Sequence, residues 1–229
     1  MTDLPQGWEW ARLRDIAHVR LGRQRSPKNH TGTQMRPYLR AANVGWNGLK
    51  LDDVKRMNFT DSELSTYRLN PGDIVLAEAS GTASEVGKPA LWMGEIKDCC
   101  FQNTLIRVRS RGVDPSYLLE YLRNEARTGA FIGRSRGVGI HHLGSTRLAE
   151  WSIPVPPIAE QRRIATAIST YQSTLDSAES LLATAVKRSR RLYRTVVAHA
   201  LSGNLATNLS SDEPASALLS AIRHNNVDD

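Results

Sequence analysis

The sequence predicts an α+β protein: a mixed α/β domain over residues 1–153, a long coiled-coil helix over 154–204, and a short helix with a polar tail over 205–229. Three observations carry that expectation. Short β-type segments separated by turn residues fill the first part of the chain. Pro154, Pro156 and Pro157 then punctuate it. Beyond them, apolar and small residues fall on a 4-3-4-3 beat: Ile164, Ile168, Tyr171, Leu175, Ala178, Leu182, Ala185, Ser189, Leu192 and Val196. A beat averaging 3.5 residues places them on one helix seam that packs along another long helix.

In chain order, the candidate strands are Tyr38–Asn43, Asp73–Glu78, Ala90–Met93, Phe101–Val108 and Glu150–Val155. Asn70-Pro71-Gly72 is a turn signal just before the second. Asp114-Pro115 reads as an N-cap followed by proline at the first helical position. The helix it opens, Ser116 to Arg127, carries Leu118, Leu119, Tyr121, Leu122 and Ala126 on an apolar face that packs on the sheet. Pro157 opens the long helix, with Glu160 in its positive first turn, and Gly203 caps its C-terminus. At 1.5 Å per residue this helix rises about 65 Å. From Asp212 a last amphipathic helix carries Ala215, Leu218, Leu219 and Ile222.

The chain contains no second stretch with the seam's pattern, so the partner helix is expected from another molecule, most simply a second copy. In an antiparallel pair about Ser180, Ala178 faces Leu182, Ala185 faces Leu175, Ser189 faces Tyr171, Leu192 faces Ile168 and Val196 faces Ile164. Small meets large near the centre and every layer is filled. A parallel in-register pair stacks Ala on Ala and Tyr on Tyr, leaving voids beside overpacking, each costing about 1 kcal/mol or more. The alternative is that the seam packs on the chain's own globular part. Leu181, Val186 and Tyr193 widen the stripe, so a further surface is expected to pack there. Lys187, Arg188, Arg190, Arg191 and Arg194 make the helix's second half basic, either as a solvated face or for phosphates or an acidic partner.

The net charge is +7 with a pI near 9.7, which favours a polyanionic partner without specifying it. The two cysteines, Cys99 and Cys100, are adjacent and form neither a disulfide framework nor a metal-ligand spacing, as expected in a reducing cytosol. No apolar run approaches membrane-spanning length and no signal pattern opens the chain, so a soluble cytoplasmic protein with no membrane partner is expected. His18, His30, His141, His142, His199 and His224 lack metal-ligand spacing. No metal site is expected.

The junction Pro154-Val155-Pro156-Pro157-Ile158-Ala159-Glu160-Gln161-Arg162-Arg163-Ile164 resembles the signature that opens the long helix of Type I restriction–modification specificity (S) subunits. Leu4-Pro5-Gln6-Gly7-Trp8-Glu9-Trp10 is similar to the entry of that family's target recognition domain. Leu69 to Val75, the Gly81 to Lys88 loop, Gly139-Ile140-His141-His142-Leu143, and Ala200 to Leu205 followed by Glu213-Pro214-Ala215 fit the same pattern. The resemblance implies a non-catalytic subunit that reads double-stranded DNA. It also implies methylation subunits using S-adenosylmethionine, and in some systems ATP-driven restriction subunits, as partners; this chain itself would hold no cofactor. The family pattern has two recognition domains on two antiparallel helices. One domain and one helix make this chain look like a half-subunit, which a homodimer would complete. The two-fold symmetry of such a dimer implies an interrupted palindromic target.

Base edges are read mainly by Arg, Lys, Asn, Gln, Ser and Thr in the major groove. Three loops offer such residues: Arg23, Arg25 and Lys28 in the first; Ser80, Thr82, Ser84 and Lys88 in the second, whose glycines permit close backbone approach; Arg134, Arg136, His141 and His142 in the third. Each is otherwise an ordinary solvated loop. Two rivals remain. A coiled-coil adaptor explains the seam but not the basic loops. A magnesium-dependent nuclease could use Asp73 with Glu95 and Lys97, although Glu95-Ile96-Lys97 reads better as a turn. No glycine-rich methionine-cofactor loop and no Asn/Asp-Pro-Pro-aromatic motif is present, so methyl transfer would belong to a partner.

Overall fold

A computed structural model describes residues 3–80, 82–132, 141–206, 209 and 211–225. In chain order the elements are β1 (Glu9–Arg12), α1 (Leu13–Ile16), β2 (Ala17–Leu21), β3 (Met35–Leu39), β4 (Val44–Gly45), β5 (Gly48–Leu49), β6 (Lys55–Asn58), α2 (Asp61–Tyr67), β7 (Asp73–Ala77), β8 (Ala79–Ser80), β9 (Pro89–Trp92), β10 (Cys100–Phe101), β11 (Leu105–Ser110), α3 (Pro115–Arg127), β12 (His141–His142), α4 (Ser145–Ala149), β13 (Ser152–Val155), α5 (Ile158–Leu201) and α6 (Ala215–Asn225). Contacts divide the chain into two units, Met1–Thr170 and Tyr171–Asp229.

The first unit is built on an antiparallel sheet ordered β2-β11-β7-β9. Every residue of β7 is buried, and successive side chains point to opposite faces. Ile74 and Leu76 enter one core with Leu118, Leu122, Phe131, Leu148 and Ile153. Val75 enters a second core with Leu39, Trp92, Phe101 and Leu105. Burial on both faces explains why Asp73 to Ala77 reads as an unbroken apolar run after its leading aspartate. That aspartate is 1% exposed and forms a two-pronged pair with Arg109, Nε to Oδ1 at 2.7 Å and Nη2 to Oδ2 at 2.8 Å. The neighbouring three-stranded sheet runs β10-β3-β6, with β10 parallel to β3.

Three of the five expected strands differ from the observed ones by one or two residues at their ends, and the other two differ more. The Tyr38–Asn43 segment is strand only through Leu39. Asn43 closes the 3-10 turn Ala41–Asn43, accepting from the Arg40 amide at 3.1 Å and donating to the Lys50 and Asp53 carbonyls at 2.8 and 3.1 Å. The Phe101–Val108 segment is two strands, because the chain leaves β3 and crosses to β7 through a turn in which the Leu105 amide donates to Gln102 at 2.9 Å. Gly22 sits against that crossing; a Cβ on it would lie 2.1 Å from the Gln102 carbonyl oxygen, so a side chain is excluded. The expected helix at Ser116 starts one residue earlier, and Asp114 caps it by accepting from the Ser116 and Tyr117 amides at 2.9 and 3.1 Å.

The long helix starts at Ile158. The Pro157 carbonyl accepts its first bonds, from Glu160 at 2.8 Å and Gln161 at 3.0 Å. Gln161 is buried, donating from Nε2 to the Pro156 carbonyl at 2.7 Å and accepting on Oε1 from the Asp114 amide at 2.8 Å. One side chain therefore ties the proline junction to the cap of α3. Ala165 and Ile164 complete the docking on the first core. The helix ends before Gly203, whose φ of +75° suits a residue without a Cβ. The second unit comprises the remainder of α5 and the whole of α6. Among the described residues, no helix is long and apolar enough to cross a membrane.

Candidate nucleic-acid interface

The second and third predicted loops meet in a two-stranded ribbon. Strand β8 pairs antiparallel with β12, setting His141 opposite Ser80 and His142 opposite Ala79. Leu143, fully buried behind it, donates its amide to the Glu78 carbonyl at 2.8 Å and anchors the ribbon to the core. His142 is exposed, with Nδ1 3.1 Å from the Glu78 carboxylate. Ser80 is half-buried and its Oγ accepts from the Thr82 amide at 3.1 Å. Thr82 and Ser84 are exposed. Arg134 and Arg136, together with Gly81, lie outside the described residues.

Lys88 faces inward. It pairs with Glu85, and its side chain is only 11% exposed. Glu85 also accepts from the Trp46 indole at 2.9 Å, and the Arg127 guanidinium lies over that indole at 5.4 Å. The Lys88 ammonium, its own burial notwithstanding, holds the Glu85 carboxyl below the usual carboxylate range. Lys88, expected to reach for DNA, thus braces the turn that carries Thr82 and Ser84. Gly87 likewise serves packing: its φ is +76°, and a Cβ there would lie 2.3 Å from the Phe131 ring. The close approach expected of this glycine is to an aromatic ring of the core.

The first loop divides in two. Arg23 is engaged internally, with Nε 2.6 Å from Glu63, Nη1 donating to the Asn58 carbonyl at 2.8 Å, and its guanidinium 5.0 Å from the Phe59 ring centroid. Arg25 and Lys28 are exposed, and Arg25 Nε donates to His30 at 3.0 Å. Arg25 and His30 line a cleft with Tyr38, Arg40, Lys55 and Arg56. Arg40, Lys55 and Arg56 were not among the residues expected from sequence, because only the pairing of Tyr38 with Lys55 and Pro37 with Arg56 brings them beside the first loop. The adjacent basic pair Lys55-Arg56 on a strand was the available signal. Next in the chain, Ala41 and Ala42 line a second cleft with Lys50, Ser80, Glu85 and Lys88. Arg40 is thus followed at once by two residues that share a cleft with Ala79 and Ser80 of the ribbon.

Asp73, the leading carboxylate of the nuclease reading, is occupied by Arg109 and by the Asn70 amide at 2.7 Å. Glu95 accepts from the Met93 amide at 3.0 Å within a turn. Among the described residues, no three His, Cys, Asp or Glu side chains form a metal-binding group.

Along the seam, Ile164 is half-buried on its own unit's core and Ile168 is half-buried. Ile164, expected to face a second copy, also packs against its own domain's core and helps seat the first turns of the helix there. Tyr171, Leu175, Ala178, Leu182, Ala185, Ser189, Leu192 and Val196 are exposed, Tyr171 and Leu182 at 72% and 65%. The flanking Leu181 and Tyr193 are exposed too, at 72% and 71%.

Comparison with known proteins places this geometry. Residues 5–185 match the family model for the Type I restriction modification DNA specificity domain. The chain is 27% identical over 212 residues to the Type I restriction enzyme StySPI specificity subunit of Salmonella potsdam, covering 90% of this chain and 45% of that protein. It is 24% identical over 230 residues to the EcoKI specificity subunit of Escherichia coli K12, covering 98% and 49%. It thus spans about half the length of the curated relatives it matches. In fold it resembles the crystal structure of the HsdS subunit from Thermoanaerobacter tengcongensis, with a TM-score of 0.62 at 23% identity over 89% of this chain and 47% of that one. A chain from a study of complex assembly in the type I R-M system aligns with a TM-score of 0.68 at 21% identity, over 89% and 48%.

Proposed function

This chain belongs to the Type I restriction–modification DNA specificity family, and on that premise we propose that it is a non-catalytic DNA-recognition subunit that works as a homodimeric half-subunit. Two copies pair antiparallel along the seam from Ile168 to Val196, and each presents its β8–β12 ribbon and first loop to one half of an interrupted palindrome. The dimer scaffolds methylation subunits, with or without restriction subunits, in the cytoplasm. S-adenosylmethionine and ATP are the partners' cofactors. Thr82, Ser84, His141 and His142 read or flank the bases, joined by Arg134 and Arg136. Arg25 and Lys28 contact phosphates, while Arg23 and Lys88 brace the loops from within.

The observation that carries this reading is the exposed seam on a 44-residue helix in a chain matching the family's DNA specificity domain. An exposed stripe of apolar and small side chains at 3.5-residue spacing is the pattern that a partner helix covers. The antiparallel register fills the central layers, opposing Ala178 to Leu182 and Ala185 to Leu175.

The test is to co-express the chain with its methylation subunit and map modified bases in the host genome. A methylated, interrupted palindrome is expected. An asymmetric bipartite site would replace the second copy with a different half-subunit. Absence of methylation would favour the adaptor reading and overturn this one.

A further inference from the structure

We propose that the cleft framed by Arg25, His30, Tyr38, Arg40, Lys55 and Arg56 is a clamp for DNA backbone phosphates that sets the register of the β8–β12 ribbon on the duplex. The inference rests on the DNA-recognition reading above and adds to it the division of labour within the site. Arg25, Arg40, Lys55 and Arg56 are four permanent cations around a space of about 220 Å³. Among the described residues, no carboxylate lines it. Asp53 stands beside it and pairs with both Arg40 and Lys55, the latter at 2.7 Å. Those two cations hold its carboxyl below the usual range, the Lys55 hydrogen bond most of all. Among the described residues, no acceptor reaches the buried Arg40 Nε.

An excess of donors over acceptors, with Lys55 and Arg56 presented by β6, is the arrangement that phosphate oxygens satisfy. A free nucleotide is a poorer match. Among the described residues the cleft has no glycine-rich turn, and its aromatic side chain, Tyr38, is 4% exposed and offers no open face for a base. Continuity points to the duplex backbone: Arg40 leads directly into Ala41 and Ala42, which line a second cleft together with Ser80. A strand held at Arg40 therefore runs on toward the ribbon. Asp53 is the brake of this device, since it neutralises part of the clamp in the unbound protein.

The test uses the full chain co-expressed with its methylation subunit. Binding to the duplex mapped from the genome and to a scrambled duplex is measured by fluorescence anisotropy across a salt series. In the variant Arg25→Gln/Arg56→Gln, the slope of log K against log salt is expected to flatten by about 2, so a fourfold rise in salt costs it roughly tenfold less affinity than it costs the parent. The ratio of mapped to scrambled affinity stays unchanged, as for a contact blind to sequence. Asp53→Asn is expected to act oppositely, tightening binding to both duplexes, which a destabilised fold would not do. Inorganic phosphate at matched ionic strength is expected to weaken duplex binding by the parent more than by the double variant.

The clamp is overturned by an unchanged slope in the folded double variant, by a loss of sequence preference, or by Asp53→Asn binding no tighter than the parent. Phosphate that binds the parent's cleft without weakening binding to either duplex would assign the cleft to a free anion instead. A parent that binds neither duplex overturns the DNA-recognition reading itself, which separates the two failures.

Discussion

Buried side chains in this protein show what burial does to chemistry. Cys99 and Cys100 are fully buried, and burial pushes both thiols up to about 12, with each other's proximity adding to the shift at Cys99. A thiol reacts as its thiolate, so both remain protonated and inert across the ordinary pH range. Titration with a thiol reagent at pH 8 is expected to count no cysteine in the native chain and two after denaturation. A fast-reacting native thiol would contradict this burial. The same scale separates Arg109 from the exposed arginines: its two-pronged pair neutralises Asp73, a carboxylate 1% exposed. Replacing Arg109 with Leu leaves that charge buried and is expected to cost about 3–5 kcal/mol in a urea unfolding experiment. A variant as stable as the parent would show that water reaches Asp73.

Among elements, the junction between β13 and α5 depends on a single amide. Gln161 Nε2 satisfies the Pro156 carbonyl while Oε1 satisfies the Asp114 amide, and Asp114 caps α3. Gln161→Leu preserves bulk but orphans both buried backbone groups, at a cost of about 2–4 kcal/mol. Asp114→Ala is expected to cost about 1 kcal/mol, the ordinary loss of an N-cap. A drop in melting temperature larger for Gln161→Leu than for Asp114→Ala is the expected order; the reverse order would place the strength of the junction in the cap. Helix α3 is further held to β13 by the Tyr121 hydroxyl, which donates to the Ser152 carbonyl at 3.1 Å.

At the scale of the whole molecule, the unsatisfied seam dominates. Leu175→Glu together with Leu182→Glu places four carboxylates on the proposed two-fold interface, two from each copy. Light scattering is expected to give twice the chain mass for the parent and the chain mass for the variant. A dimer surviving both changes would remove the seam from the interface. If the paired helices also set the distance between half-sites, four residues inserted in the seam lengthen each helix by about 6 Å. Methylation mapping is then expected to find a spacer longer by roughly two base pairs, at about 3.4 Å per pair. An unchanged spacer would show that the helices do not act as a ruler.

Periodicity and punctuation alone determined much of this protein. The beat from Ile164 to Val196, the prolines before it and Gly203 after it locate the long helix, and Asp114-Pro115 locates the start of α3, because caps and amphipathic spacing are local properties of a helix. The family was also legible, since Pro154 to Ile164 is a contiguous motif. The tertiary structure decided what depends on residues far apart in the chain. It turned Arg23 onto Glu63 and Phe59, and Lys88 onto Glu85. It packed Ile164 partly against the first unit's core, and it gathered Arg40, Lys55 and Arg56 beside Arg25. A guanidinium in a loop reads the same whether it meets solvent, a phosphate or a buried carboxylate; only strand pairing and core packing, which join distant segments, select among them.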